Sequence, residues 1–144
     1  MRPEILAYLS TQRVGVLAVE MPDGSPHAAT VHFAHCDEPF VFYFKTHREY
    51  RKADALFHRD VSRASFVVGS DESNMKTLQL DGEVRLLRND EKEDYESVYL
   101  GKFPEKQAKK DESNGVPFIF TPTWWRWTDW TTPEGKKIML STDV

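Results

Sequence analysis

The chain has 144 residues, a length that fits one domain with a hydrophobic core of its own. Hydrophobic residues make up 40%, charged residues 29% and aromatic residues 12% of the sequence, which is typical of a globular protein and excludes a disordered or fibrous one. The net charge of -4 provides no basic field for a nucleic-acid backbone, so we expect no nucleic-acid partner.

The cysteine content and the apolar runs suggest where the protein works. Cys36 is the single cysteine, so it has no internal disulfide partner and no second cysteine at metal-ligand spacing. No apolar run approaches the roughly 20 residues of a membrane span or the shorter core of a signal peptide. The sequence therefore predicts a cytoplasmic protein with no membrane partner.

The first third of the chain predicts a short helix and then three strands. Residues 3–12 begin with Pro3, which suits a first helical turn, and carry apolar side chains at helical spacing. Strands are predicted over residues 14–20, 27–35 and 40–46, with turn chemistry between them. We expect these three strands to form an antiparallel meander.

The middle of the chain predicts a helix over residues 48–60 with positive charges at its beginning, followed by strands over 61–69 and 76–87. Gly82 interrupts the second of these strands. A glycine at such a position is suited to a bulge or a bend, which would let the sheet close.

The last part of the chain predicts an acid-rich helix over residues 89–101, a short polar helix from Pro104 to before Gly115, and a strand over 116–132. The tail would add a terminal strand. The sum is six or seven strands and two or three helices, which favours a mainly β protein: a small antiparallel barrel with helices over its openings.

The common catalytic templates are absent from the sequence. It contains no Gly-x-Ser-x-Gly elbow, phosphate-binding glycine-rich loop, His-Glu-x-x-His helix or paired-cysteine zinc spacing. His32 and His35 would lie on opposite faces of a strand, so we predict no metal site.

Cys36 is followed by Asp37 and Glu38, an acidic setting that disfavours the thiolate. We therefore expect no catalytic cysteine.

The stretch "FYFKTHREYRK" (residues 42–52) is consistent with a phosphate pocket. A strand brings Lys45 and Thr46 to its end, and Arg51 and Lys52 begin the next helix, so three cations and a hydroxyl would converge. Arg and Lys side chains supply charge-assisted donors to phosphate, and N–H groups at a helix start add to them. An ordinary, solvated basic helix start is the alternative interpretation.

Five stretches in order resemble the FMN-binding split-barrel family related to pyridoxamine 5'-phosphate oxidase, including its general-stress-protein branch. These stretches are "PHAATVHF", "FVFYFKT", "YRK", "ASFVV" and "TLQLDGEVRLL". The resemblance covers roughly residues 3–130. It implies a six-stranded antiparallel split β-barrel, formed as a single domain over residues 1–144. It also implies a homodimer with two FMN molecules in clefts at the interface.

The same resemblance implies which residues bind the cofactor. The strand edge that lines the isoalloxazine ring would be formed by Thr30, Val31 and His32, and the pair that follows the third strand would be Lys45 and Thr46. The phosphate would be held by Arg51 and Lys52. The residue that reaches the flavin of the other subunit would be Thr77.

The sequence also departs from the oxidase pattern. Where the oxidase has a phosphate-binding arginine in the second strand, this sequence has Ala29. Where the oxidase has a lysine a few residues later, this sequence has Ala34. The C-terminal arginine-histidine motif that holds the substrate phosphate has no counterpart in "PEGKKIMLSTDV". We therefore expect weaker FMN binding than in the oxidase, and a substrate other than pyridoxamine phosphate.

All four tryptophans lie in "WWRWTDW", residues 124–130. Strand alternation separates Trp125 and Trp127 from Trp124, Arg126 and Trp130, so the four rings cannot form one continuous stack. Aromatic side chains on such a strand most often bury core or interface area. In the resembled family this strand runs beside the dimer cleft, and we expect Trp125 and Trp127 to face the flavin.

The leading functional interpretation is an FMN-binding oxidoreductase that acts on an unidentified small molecule. The alternatives are a non-catalytic flavin- or haem-binding stress protein and a deazaflavin-dependent reductase, because a fold does not fix an activity. A cation near the pyrimidine edge of a bound flavin would favour its anionic reduced form, and Lys45 and Arg126 are the candidates.

Overall fold

Antiparallel strand pairing organises the chain. The computed structural model describes residues 1–69, 71–109 and 114–143, and within these ranges eight strands form one sheet. In chain order the strands are β1 (Val14–Glu20), β2 (Pro26–His32), β3 (Ala34–Cys36), β4 (Val41–His47), β5 (Ser62–Val68), β6 (Lys76–Leu86), β7 (Gly115–Thr132) and β8 (Gly135–Leu140). The mainly β class is as predicted. The number of strands exceeds the predicted six or seven.

The helices lie at the periphery of the sheet. They are α1 (Pro3–Thr11), α2 (Arg51–His58) and α3 (Lys92–Tyr95), which continues as a π-helical segment over Glu96–Leu100, with 3-10 turns at Glu72–Asn74, Asn89–Glu91, Pro104–Lys109 and Ser141–Asp143. The predicted polar helix before Gly115 is a 3-10 turn, and its remaining residues, 110–113, lie outside the described residues. No helix in the described ranges is long and apolar enough to cross a bilayer.

The order of strands leaves the barrel open on one side. The sheet runs β2-β1-β5-β6-β7-β4-β3, and β8 adds to β7. The prediction of a continuous strand over 27–35 in a meander is wrong, because the chain leaves one end of the sheet after β2 and enters the other end at β3. The intervening Phe33 is fully buried, and its N–H donates to the carbonyl of Arg13 at 3.1 Å. Strands β2 and β4 approach each other without a shared ladder, and we call this opening the split.

Strand β7 is the longest element and joins the parts of the sheet. It pairs with β6 along most of its length, with β4 through residues 115–120 and with β8 through its last third. The β6–β7 register shifts between Asp81 and Gly82, which confirms the predicted bulge. A Cβ atom at Gly82 would lie 2.2 Å from the carbonyl oxygen of Thr121, so the two strands approach this closely only with glycine there.

Two apolar clusters lie on the two faces of β4, because successive side chains of a strand point to opposite sides. The inner one fills the barrel and is centred on Phe66, whose ring lies 5.1–5.3 Å from those of Phe33, Phe42 and Phe44. The outer one lies between β4 and the helix that begins at α3, and it contains Tyr43, Tyr95, Tyr99, Phe103 and Ile119 among its members. The outer cluster therefore holds the π-helical segment beside one end of the split.

Candidate functional site

A cavity of about 350 Å³ lies at the split. The end of β2, the end of β4, the π-helical segment and the 3-10 turn after it contribute its walls. Its lining residues are His32, Lys45, Thr46, His47, Tyr99, Glu105 and Lys106. The structure thus brings together His32, Lys45 and Thr46, three of the residues that the sequence resemblance assigned to the cofactor.

Strand β2 presents an open backbone edge at the split. It pairs with β1 along its whole length on one side, and on the other side it has no strand partner within the described ranges. Thr30 and His32 are exposed, whereas Val31 is buried in the barrel core and reaches the opening only through its backbone. Unpaired N–H and C=O groups on a strand edge are ready partners for another molecule.

The end of β4 supplies polar side chains that are largely withdrawn from water. Thr46 is 2% exposed, and its hydroxyl donates a long hydrogen bond of 3.5 Å to the carbonyl of His47. The Nδ1 atom of His47 is buried and has no hydrogen-bond partner among the described residues. Its ring meets that of Tyr50 at 5.1 Å, edge to face. A buried polar atom without a partner carries a desolvation cost that a ligand would relieve.

The two predicted phosphate-binding residues at the start of α2 are placed differently. Lys52 is 8% exposed, its Nζ lies 4.9 Å from the Tyr50 ring centroid, and burial lowers its pKa. No acidic side chain in the described part of the chain forms a salt bridge with it. Arg51 is exposed and lies towards the β1–β2 turn. Hydrogen bonds from Ser25 lower the pKa of Asp23 in that turn, and the positive charge of Arg51 lowers it further. Arg51 and Lys52 are therefore not among the residues that line the cavity with Lys45.

Tyr99, Glu105 and Lys106 belong to the cavity although the sequence reading gave them no chemistry. Lys106 Nζ donates to the Tyr99 hydroxyl at 2.9 Å and lies 3.1 Å from His32 Nδ1. Tyr99 is 1% exposed, and burial raises its pKa to about 12. The sequence shows Tyr99 as one more apolar helix position, and the π-helical turn that redirects the chain after it has no sequence signal. Such turns are rare and occur often at functional sites.

Thr77 lies apart from this cavity within the chain. It is half-buried near the start of β6, and its hydroxyl donates to the carbonyl of Gly69 at 3.4 Å. It lines a different cavity of about 740 Å³ together with Met75 and Trp130. The resemblance assigned Thr77 to the flavin site of a second subunit, so its distance from Lys45 in one chain leaves that prediction as it was.

Trp125 and Trp127, which we expected to face a flavin, lie inside the barrel. The alternation itself is as predicted, but Trp125 is 9% and Trp127 2% exposed, and both belong to the core inside the barrel. Trp130 is exposed on the opposite face and Trp124 is half-buried. Both faces of this strand carry tryptophan, so residue polarity alone did not indicate which face is inside. Arg126 is half-buried, and its Nε has no hydrogen-bond partner among the described residues.

Three other cavities are larger than the one at the split, and in two of them several charged groups already have partners. In the cavity of about 550 Å³ on the outer sheet face, Glu20 pairs with Arg59 and Arg63, and Asp81 accepts from Ser65 at 2.7 Å. In that of about 480 Å³ beside α2, Arg85 is held by Glu91 through two hydrogen bonds of 2.7 and 2.8 Å. Satisfied charges of this kind stabilise the fold and make these two cavities weaker candidates than the split.

An antiparallel barrel that stays open between two strands is a split barrel, and the described part of this chain has that fold. Residues 1–129 match the family model described as pyridoxamine 5'-phosphate oxidase, and the chain belongs to this family. No curated protein sequence matches the chain.

Solved structures with the same fold carry different descriptions. A heme binding protein from Mycobacterium smegmatis superposes with a TM-score of 0.70 at 18% identity, over 96% of this chain and 59% of that one. A protein related to general stress protein 26, of the pyridoxinephosphate oxidase family, from Clostridium acetobutylicum gives 0.68 at 13% identity, over 97% and 94%. A FAD-binding protein from Mesorhizobium loti gives 0.62 at 16% identity, over 87% and 91%. These identities establish a shared fold. This chain spans about three fifths of the mycobacterial protein.

Proposed function

We propose that this chain binds FMN at the split and acts as a flavin-dependent oxidoreductase on a small molecule. The observation that carries the proposal is the single cavity formed by His32 at the open edge of β2 and by Lys45 and Thr46 at the end of β4. Membership of the pyridoxamine 5'-phosphate oxidase family supports it.

The residues at the start of α2 fit the phosphate of FMN. Lys52 carries a mostly buried ammonium that forms no salt bridge with an acidic side chain in the described ranges, and burying such a charge without a counter-ion is costly. A phosphate dianion would supply the missing charge. Arg51 is exposed one position earlier and can turn from the β1–β2 turn towards the same group. The helix start adds unpaired N–H groups.

The open edge of β2 fits the polar rim of a flavin ring. The ring carries carbonyl and N–H groups, and the backbone of residues 30–32 offers complementary donors and acceptors beside the split. Bound FMN would supply the redox chemistry, while the protein supplies position, electrostatics and control of water. Tyr99 and Phe103, both buried, would exclude water from one side of the ring.

The proposal includes a homodimer, because the cavity of one chain lies at the small end of the range for ligand sites. A second subunit would enlarge it and would bring Thr77 to the partner's flavin, as the family resemblance implies. It also includes a reducing, cytoplasmic setting, which rests on the single cysteine, Cys36.

The test begins with the absorption spectrum of the purified protein and the mass of any ligand that it releases. Flavin bands and the mass of FMN support the proposal, whereas a Soret band would indicate haem and a deazaflavin mass would indicate that cofactor instead. A colourless protein that cannot be reconstituted with FMN would refute it. Turnover of reduced nicotinamide with an added electron acceptor then separates an enzyme from a flavin carrier.

The phosphate assignment has its own experiment. We expect Arg51→Ala combined with Lys52→Ala to weaken FMN binding by a few kcal/mol, about the loss of two charge-assisted contacts. Lys92→Ala removes an exposed cation on α3 and serves as the control. Titration by flavin fluorescence measures both, and equal affinities in the two variants would contradict the assignment.

A further inference from the structure

A chain of three side chains crosses one wall of the cavity. The Lys106 ammonium donates to the Tyr99 hydroxyl oxygen at 2.9 Å and lies 3.1 Å from Nδ1 of His32. A lysine ammonium has hydrogens and no acceptor, so in this contact it can only donate. Nδ1 of His32 must therefore be the acceptor, which leaves the proton of a neutral imidazole on Nε2.

Lys106 is fixed in place by more than these two hydrogen bonds. Its Nζ lies 5.2 Å from the ring centroid of Tyr99 and 4.9 Å from that of Phe103, within the range of cation–π attraction. The 3-10 turn positions its backbone through a hydrogen bond of 2.9 Å from its N–H to the carbonyl of Phe103. Tyr99 is held in turn by stacking on Tyr95 at 5.2 Å. The contact with His32 is therefore part of a built wall.

The charges that face His32 oppose its protonation. Burial lowers the pKa of His32, and the cations Lys106, Arg13 and Lys102 lower it further. Glu105 acts in the opposite direction, but it is itself bound by Arg13 in a salt bridge. An imidazolium at this position would also lose the Lys106 hydrogen bond, because both of its nitrogens would be donors.

We propose that Lys106 fixes His32 as the neutral tautomer with its proton on Nε2, so that the cavity presents an uncharged hydrogen-bond donor that persists into mildly acidic solution. Nε2 of His32 has no hydrogen-bond partner within the described ranges, and the ring is exposed at the cavity. The ligand group it suits is an acceptor, such as a carbonyl or ring nitrogen of the flavin or of the substrate. This last step rests on the proposed function, whereas the state of His32 does not.

The experiment reads the two ring nitrogens of His32 by long-range 1H–15N NMR in the ligand-free protein across a pH titration. We expect Nδ1 at the shift of an unprotonated nitrogen, Nε2 at that of a protonated one, and protonation only below the ordinary pKa of about 6.5. In Lys106→Met, which keeps an apolar stem over the aromatic rings, we expect the pKa to rise by about one unit and the Nδ1–H tautomer to become populated.

Lys102→Met provides the matched control, because Lys102 also faces His32 as a cation but its Nζ donates to the carbonyl of Leu9 at 3.3 Å. We expect it to raise the pKa of His32 without changing the tautomer. A proton on Nδ1 in the wild-type protein would overturn the proposal, as would an unchanged tautomer and pKa in Lys106→Met. The NMR experiment contains no flavin, so its outcome does not depend on whether the protein binds FMN. A result that contradicts the proposed state of His32 would likewise not contradict FMN binding.

Discussion

The indole of Trp127 meets the phenol ring of Tyr8 edge to face, with ring centroids 5.0 Å apart. Tyr8 lies on α1, and its hydroxyl also donates to the carbonyl of Lys76 at 3.3 Å. Trp127 thus connects α1 to β7, and its ring is part of the barrel core. The tryptophan-rich stretch of the sequence acts here as part of the fold.

Replacing Trp127 tests this role. We expect Trp127→Ala to lower the free energy of unfolding by about 3–5 kcal/mol, because it removes a fully buried aromatic side chain and leaves a cavity. Trp130→Ala removes an exposed tryptophan from the same strand and should change it by about 0.5 kcal/mol or less. Urea denaturation followed by circular dichroism measures both, and similar losses in the two variants would contradict the burial pattern.

The β-bulge makes a second prediction. Gly82→Ala places a Cβ atom 2.2 Å from the carbonyl oxygen of Thr121, so β6 and β7 must separate locally, and we expect destabilisation of about 2 kcal/mol or more. Gly101→Ala is the matched control: the glycine follows the π-helical segment with helical backbone angles, and nothing lies within 4 Å of its added Cβ. We expect this change to stabilise the protein by about 0.5–1 kcal/mol. Thermal unfolding of the two variants should therefore move in opposite directions.

The role of Gly82 was readable from the sequence because one residue type marks a single local requirement. The end of β2 before Phe33 could not be predicted in the same way, because "HAATVHFAH" contains no glycine or proline and has the pattern of one continuous strand. Its division is imposed by the barrel: β2 and the short strand after it belong to opposite ends of the sheet. The local sequence pattern therefore predicts where strands lie, whereas their order in the sheet depends on long-range pairing.

The salt bridge between Arg85 and Glu91 predicts a pH dependence. The hydrogen bonds from Arg85 lower the pKa of Glu91 from 4.5 to about 2, and the N–H of Arg88 adds a bond of 2.8 Å. A lowered pKa means that the stabilisation is fully present above pH 4.5 and is lost as the pH falls towards 2. We expect Glu91→Gln to cost about 1.5–3 kcal/mol at pH 7 and much less near pH 2.5. Glu93→Gln removes an exposed carboxylate on α3, two residues later, and should have little effect at either pH. A Glu91→Gln loss that does not depend on pH would contradict the pairing.

Lys52 is expected to oppose folding and support ligand binding. Burial lowers its pKa, so the folded protein disfavours the charged form, and Lys52→Met should raise the melting temperature of the ligand-free protein at pH 7. The gain should shrink as the pH rises towards 10.5, where the unfolded chain also loses the proton. The same change should weaken FMN binding by about 10- to 100-fold, the loss of one charge-assisted contact. A variant that is less stable and binds FMN unchanged would show that Lys52 is structural.

Part of the candidate site is predictable from the sequence, for a physical reason. Residues of one strand end, such as Lys45 and Thr46, are adjacent in sequence and stay together in any fold. His32, Tyr99 and Lys106 come from separate elements, and their contact depends on the π-helical turn and the order of strands. Side-chain constellations assembled across a split are therefore visible only after the fold is known.

The length of β7 has a consequence for how the protein is made. Its residues 115–132 supply the neighbour for both β4 and β6, so a ribosome must synthesise most of the chain before either strand is covered on that side. Until then the nascent chain has two unpaired strand edges flanked by apolar side chains, the kind of surface that holdase chaperones bind and that promotes aggregation. The step that completes the barrel is a late, long-range pairing, and for this family member the yield of folded protein should depend on how well that interval is protected.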